Sequence, residues 1–134
     1  MLDDIELDLA SELGAGPGPS VQTLTLYIPD RDRDGDEIGD QRRWVLEAAR
    51  LLASIGGGVT IQPAVEGGWH DDEADRLVWE RPVLVYAHVH PERFASKLEV
   101  LRSFLHRLGR ESRQGEVAVE FDGQFFRIRE FDES

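Results

Sequence analysis

The chain has 134 residues and not one cysteine. That absence excludes disulfides, a thiol nucleophile and a thiolate metal site. No apolar run approaches the roughly 20 residues that a helix needs to cross a bilayer. The first residues, Met1-Leu2-Asp3-Asp4, have neither the basic start nor the apolar stretch of a signal peptide. We therefore expect a cytoplasmic protein that does not engage a membrane.

Positive charge is also scarce. Fifteen lysines and arginines face 27 aspartates and glutamates, which gives a formal net charge of -12. Because neutralisation of phosphates dominates binding to a nucleic-acid backbone, this balance argues against nucleic acid as a partner. It remains compatible with a basic protein partner, or with an acidic protein that imitates nucleic acid.

Residues 1–20 differ in composition from the rest of the chain. They carry acids without any basic residue and finish in a Gly/Pro-rich run. Ile5, Leu9 and Leu13 recur every four residues. The segment is therefore either a flexible acidic tail or an amphipathic stretch that docks in a partner's groove. We expect an acidic flexible segment and linker over residues 1–20, and a single α+β domain over residues 21–134.

Hydrophobic patterning in that domain predicts the order βαββαβ with an extra C-terminal strand. The predicted elements are a strand over 21–28, a helix over 38–55, a short strand from Val59, a polar loop over 66–75, a strand over 77–89 bent at Arg81-Pro82, a helix from Pro91 that Gly109 closes, and a hairpin over 116–129 that turns at Asp122-Gly123. This is the ferredoxin-like, split-βαβ plan, with two helices on one face of an antiparallel sheet. The other face needs cover, and we expect a homodimer to supply it.

Six short motifs occur in a fixed order. They are Tyr27-Ile28-Pro29-Asp30 with Asp34-Gly35, Gly56-Gly57-Gly58 with Thr60, Gly68-Trp69, Glu80 with Pro82-Val83, Phe104-Leu105-His106-Arg107 with Gly109-Arg110-Glu111, and the run from Gln114 to Gly123. The series resembles a family of small uncharacterised bacterial proteins, over residues 21–130. The resemblance implies a shared α+β fold, and the family has no established function.

The densest cluster of carboxylates is the loop after the first strand, where Asp30, Asp32, Asp34 and Asp36 alternate with other residues. This spacing is that of a loop wrapping a hard cation, and Gly35 falls at the sixth position as a calcium loop requires. Gln41 stands where the bidentate glutamate should be, and a strand rather than a helix precedes the loop. The loop is thus a candidate calcium or magnesium site, with a solvated helix-capping turn as the alternative.

Histidines offer a second candidate metal set. His88 and His90 lie two apart on a strand and point to one face, where Glu80 or Asp30 would complete a zinc or iron site. Glu80, between Trp79 and Arg81, is also the best single candidate for acid–base chemistry. No complete catalytic constellation is evident.

Three further residues are candidate contact residues. Trp69 stands in a polar loop without a core role, and Arg107 and Arg110 belong to a basic helix face. Taken together, the sequence favours a non-enzymatic, self-associating module that binds a protein partner. The alternatives are a small metal-assisted enzyme that uses the loop of Asp30 to Asp36, and an acidic mimic of nucleic acid.

Overall fold

The computed structural model describes residues 8–16 and 21–133. The elements, in chain order, are α1 (Leu9–Leu13), β1 (Gln22–Ile28), α2 (Gln41–Gly56), β2 (Thr60–Gln62), β3 (Gly67–Asp71), β4 (Arg76–Glu80), β5 (Val83–Val89), α3 (Pro91–Ser96), α4 (Leu98–Glu111), β6 (Val117–Phe121) and β7 (Gln124–Ile128).

Five strands form one antiparallel sheet in the order β2-β5-β1-β6-β7. Without β7, this is the strand order of the split βαβ plan, in which β5 separates β1 from β2. Helices α2 and α4 pack on one face of this sheet, and α3 packs against both of them. The predicted ferredoxin-like α+β fold, including the extra C-terminal strand, is confirmed.

The core lies between that sheet face and the helices. Alternate residues of β1 point into it, so that Leu24, Leu26 and Ile28 are buried. Residues of α2 at helical spacing meet them, among them Trp44 and Leu52. The apolar periodicity of β1 and of α2 therefore identifies the face that each of them turns to the core.

Residues 66–89 differ from the prediction. The expected polar loop forms strand β3, and the expected long strand is two strands, because β4 pairs with β3 in a separate two-stranded sheet. Pro82 has no amide N–H to continue a ladder, so the chain breaks at Arg81-Pro82 rather than bending. Gly68 accommodates the pairing, since Leu77 and Trp79 pack against its backbone.

The second predicted helix is also divided. It breaks at Lys97 into α3 and α4, and α4 continues past Gly109 to Glu111. Gly109 does not close the helix. A Cβ atom at this position would overlap the ring of Phe131, so the glycine provides space for the C-terminal segment to pack.

Glycine makes two tight turns, and the one at Asp122-Gly123 confirms the prediction. Gly57 ends α2 with a left-handed φ of 85°. Asp122 and Gly123, with φ values of 50° and 84°, form the tight turn between β6 and β7.

The sheet face opposite the helices is partly exposed. It presents Tyr27, Tyr86 and Phe125, with the rings of Tyr27 and Phe125 in edge-to-face contact at 5.9 Å. The hydroxyl of Tyr27 donates to Glu120 at 3.3 Å, and burial together with this carboxylate raises the pKa of Tyr27. The homodimer expected to cover this face stays a prediction.

Much of the predicted acidic segment, residues 1–7 and 17–20, lies outside the described residues. Within residues 8–16 the chain forms α1, whose first turn is capped by the side chain of Asp8 accepting from the amide of Ser11 at 3.3 Å. No helix in the described parts of the chain is long and apolar enough to cross a membrane.

Candidate active site

A cleft of about 410 Å³ opens where β1 ends and the β3–β4 hairpin joins β5. We call it the hairpin cleft. Its lining residues are Asp30, Arg31, Glu66, Trp79, Glu80 and Arg81. One wall belongs to the loop after the central strand of the main sheet, and the other belongs to the hairpin.

Asp30 ties the two walls together. Its Oδ1 atom accepts a hydrogen bond from the amide of Arg81 at 3.1 Å, although the two residues are far apart in sequence. The Asp30 side chain is only 19% exposed, and its Oδ2 atom lies 3.9 Å from Nε of Arg31. This contact brings the loop after β1 next to the end of β4.

Gln41, the first residue of α2, adds a second tie. Its side-chain amide donates to the carbonyl of Ile28 and to the carbonyl of Arg81, each at 3.1 Å. The residue that stands in place of a calcium-binding glutamate therefore joins the end of β1 to the break between β4 and β5.

The hairpin wall carries the aromatic side chains. Trp79 lines the cleft and is 62% exposed, which is unusual for so large an apolar side chain. On the other face of the hairpin, Nε1 of Trp69 donates to Oε1 of Glu80 at 3.0 Å. This hydrogen bond holds one carboxylate oxygen of Glu80 and leaves the other free to accept.

Charges of both signs meet in the hairpin cleft. Three carboxylates, from Asp30, Glu66 and Glu80, accompany the guanidinium groups of Arg31 and Arg81. The pair between Arg81 and Glu66 is loose, at 4.0 Å, and both side chains are exposed. Exposed ion pairs of this kind are weak, so either group can leave its partner and bind a charged ligand instead.

Two carboxylates of the aspartate loop, those of Asp32 and Asp34, bind groups of the protein itself. Asp32 Oδ1 accepts from the amides of Asp34 and Asp36, at 2.9 and 3.0 Å. Loss of hydration alone would raise the pKa of Asp32, but these two hydrogen bonds and the charge of Arg113 lower it. Asp34 pairs with Arg113 at 2.8 Å. This geometry is that of a solvated turn. It does not cap a helix, because α2 begins only at Gln41 and its N-cap residue, Asp40, makes no side-chain cap hydrogen bond.

Among the described residues, no group of three or more His, Asp or Glu side chains is arranged to hold a metal ion. His88 lies near the far end of β5, roughly 17 Å from Val83 at the strand's rise per residue, and its Nδ1 atom is 3.2 Å from the hydroxyl of Thr23. His90 precedes the first residue of α3. The histidines are thus not brought together with Glu80 or Asp30, and the calcium or magnesium site stays a prediction.

The three candidate contact residues are dispersed. Trp69 donates a hydrogen bond to Glu80, as described above. Arg107 pairs with Glu47 at 3.0 Å and covers the ring of Trp44, whose centroid is 5.0 Å away. Arg110 donates to the backbone carbonyl of Asp132. Both arginines make intramolecular contacts, and their role at an interface stays a prediction.

No family model matches the chain, and no curated protein matches it. Solved structures do. The structure of a phage SAM lyase in complex with S-methyl-5'-thioadenosine superposes with a TM-score of 0.57 at 17% sequence identity, covering 86% of this chain and 94% of that one. A structure of a phage SAM lyase in the apo state gives a TM-score of 0.52, also at 17% identity, and the match covers 84% of this chain and 92% of that one. The likeness shows a shared fold across nearly the full length of both chains.

This finding corrects the functional interpretation of the sequence. The prediction of a non-enzymatic binding module was wrong, and so was the leaning away from an enzyme, because the solved structures that share the fold are those of an enzyme. Self-association stays a prediction. The absence of a recognisable catalytic motif misled us. A site assembled from a loop, a strand end and a hairpin has no fixed spacing along the chain by which to recognise it.

Four residues of the hairpin cleft were not selected from the sequence as site residues: Arg31, Glu66, Trp79 and Arg81. Gln41 was noted only as a departure from the calcium-loop pattern. One available signal was the dipeptide Arg81-Pro82, since a proline in an apolar run marks an interruption of the strand. An interruption next to a tryptophan and a glutamate is where such side chains become exposed.

Proposed function

We propose that the protein is an enzyme that binds S-adenosylmethionine in the hairpin cleft and cleaves it to S-methyl-5'-thioadenosine. The observation that carries the proposal is the composition of the cleft. It combines an exposed tryptophan with three carboxylates and two guanidinium groups, in a fold shared with a phage SAM lyase.

The charges of the cleft complement those of the substrate. S-adenosylmethionine carries a sulfonium, an ammonium and a carboxylate, hence two positive groups and one negative. The carboxylates of Glu80, Glu66 and Asp30 suit the two cations, and Arg31 or Arg81 suits the substrate's carboxylate. A phosphate-bearing ligand would fit poorly, because acidic side chains outnumber basic ones here.

Trp79 suits the remaining part of the substrate. Its exposed indole offers a face on which adenine can stack, an interaction worth about 1–3 kcal/mol per base. An indole face also attracts a neighbouring cation such as a sulfonium. The cleft volume of about 410 Å³ is in the ordinary range for a small-molecule site.

The reaction needs no oxidant or co-substrate. The bond between sulfur and the four-carbon amino-acid chain breaks, and its electron pair passes to sulfur, so that the sulfonium becomes the neutral thioether S-methyl-5'-thioadenosine. The four-carbon fragment balances its charge either by closing onto its own carboxylate as a lactone or by releasing a proton from the adjacent carbon. The mass of the fragment is the same in both routes, and its NMR spectrum distinguishes them.

The direct test is incubation of the purified protein with S-adenosylmethionine, with S-methyl-5'-thioadenosine measured by liquid chromatography and mass spectrometry. Calorimetry should give tighter binding of S-adenosylmethionine than of S-adenosylhomocysteine, which lacks the sulfonium charge. The substitution Glu80→Gln should remove much of that preference, by about tenfold in dissociation constant, or about 1.4 kcal/mol.

Glu73→Gln is the matched control, because Glu73 lies in the turn at the opposite end of the same hairpin. It changes net charge equally but should leave the preference intact. Absence of both binding and product in the wild-type protein would refute the proposal, as would an equal loss in the two variants.

A further inference from the structure

Helix α1 is an unpartnered amphipathic helix. None of its residues is buried, and the side chains of Leu9 and Leu13 are 60% and 76% exposed. They lie four residues apart on one face, and Ile5 continues the same spacing in the sequence. Two adjacent exposed leucines on so short a helix require a partner surface for the helix to persist in water.

A surface of matching character lies between α2 and α4. This groove, of about 340 Å³, is lined by Glu47, Arg50, Leu51, Val100, Ser103, Phe104 and Arg107. We call it the helix groove. Its apolar side includes Val100, which is 51% exposed, and Leu46 of α2, 41% exposed, adds further apolar surface to the helix layer.

The charges of the two surfaces are opposite. The N-terminal segment carries Asp3, Asp4, Glu6, Asp8 and Glu12 and no basic residue. By contrast, α2 has three arginines and one glutamate, and that glutamate, Glu47, is already paired with Arg43 and Arg107. In a chain with a net charge of -12, the helix layer is therefore an exception that favours this acidic segment.

The connection is long enough. Gln22 at the start of β1 pairs with Val89, and the neighbouring His88 touches Gly56 at the end of α2. From Gly56 back to Leu51 in the helix groove is about 8 Å along the helix axis. The chain from Leu13 to Gln22 reaches up to about 30 Å when extended, which is sufficient.

We propose that the N-terminal segment docks, through Leu9 and Leu13 of α1, in the helix groove of its own chain. In this docked arrangement, which differs from the exposed position of α1 in the structure, the leucines contact Leu51 and Val100, and Glu12 lies near Arg50. This interaction is independent of the hairpin cleft, which lies at the far end of β1 from the linker.

A single nitroxide label tests the docking in the full chain. Because the chain has no cysteine, Ser11→Cys introduces a unique attachment point, on the face of α1 away from the leucines. In a protein labelled with ¹⁵N, the amide signals of Leu51, Val100 and Ser103 should lose most of their intensity and recover it when the nitroxide is reduced. Full intensity at these three amides would overturn the proposal.

Further controls assign the cause. The same label with Leu9→Ser and Leu13→Ser should leave the groove signals unaffected, while Arg50→Glu should weaken the effect and Glu12→Arg added to Arg50→Glu should restore it. Raised salt should weaken it as well, since the pair is exposed. A mixture of ¹⁵N protein that carries no nitroxide with ¹⁴N protein that carries it distinguishes docking within one chain from docking between two chains. Loss of the groove signals in that mixture would overturn docking within one chain.

Discussion

The two walls of the hairpin cleft belong to regions of opposite character. The five-stranded sheet and its helices enclose an apolar core, in which Leu26, Leu52 and Val85 have no exposed surface. The β3–β4 hairpin has no buried residue at all. Apolar burial stabilises the first region, whereas cross-strand pairing and a few polar ties hold the second. The main sheet and its helices thus supply the apolar core, whereas the hairpin supplies exposed side chains to the proposed binding site.

The largest contrast should appear on truncation of one side chain in each region. Leu52→Ala leaves a cavity in the core and should lower the free energy of unfolding by about 2–5 kcal/mol. Trp79→Ala removes a larger but exposed side chain, and should change it by only about 0.5 kcal/mol. Urea denaturation measures both. Equal losses would mean that the hairpin belongs to the core.

A glycine pair probes how closely the helix layer approaches the sheet. A Cβ atom at Gly56 would lie 2.5 Å from the backbone carbonyl oxygen of His88, whereas one at Gly58 would meet nothing within 4 Å. Gly56→Ala should therefore cost about 1–3 kcal/mol by overpacking, and Gly58→Ala should cost much less. Thermal unfolding of the two variants compares them directly, and similar melting temperatures would contradict the packing argument.

Gln41 connects the two regions, so its replacement should affect both. Gln41→Leu removes two hydrogen bonds to backbone carbonyls and should lower stability by about 1–2 kcal/mol. Binding of S-adenosylmethionine should weaken too, because Arg81 loses one of its two ties to the sheet. Gln124→Leu, at an exposed position of β7, is the control for the substitution itself. A variant that loses stability but keeps full affinity would show that Gln41 does not position the cleft.

The smallest effect concerns the C-terminal segment, which is tied to α4 by polar contacts. The hydrogen bond from Arg102 lowers the pKa of Asp132 below its usual value of 3.8, and the nearby His106 and Arg110 act in the same direction. A carboxylate whose pKa is lower in the folded state than in the unfolded state stabilises the fold at pH values above its unfolded-state pKa. This stabilisation is lost as the pH falls through the folded-state pKa.

Asp132→Asn should therefore destabilise the protein at neutral pH and flatten the acid side of its stability profile. Denaturation measured from neutral pH down to about pH 2 tests this, with Glu73→Gln as the reference. An unchanged acid profile in Asp132→Asn would show that the Arg102 contact is not maintained in solution.

The difference between the two regions also explains what the sequence could predict. Alternation in β1 and helical spacing in α2 are repeated signals with a common cause, the burial of one face, and they predicted the fold correctly. The turn at Asp122-Gly123 was predictable because few residues adopt a left-handed conformation.

The hairpin has no such repeated signal. Gly67-Gly68-Trp69 resembles a loop because strand β3 buries nothing and is stabilised only by pairing with β4. The cleft depends on contacts such as that between Asp30 and the amide of Arg81, which are 51 residues apart in sequence. Hydrogen bonds between distant residues leave no periodic pattern in the sequence. Of the cleft residues, only Asp30 and Glu80 were therefore named as candidates, and the cleft itself was not predicted.

Strand β7 has a consequence for the behaviour of the protein at high concentration. It is an outer strand of the main sheet, and it exposes Phe125 and Phe126 by 48% and 44%. An open strand edge with aromatic side chains invites pairing with other chains. The guanidinium group of Arg127 lies 5.4 Å from the ring centroid of Phe125 and near Glu116, and so places charge beside this edge. The last strand of the chain thus carries its own protection against aggregation.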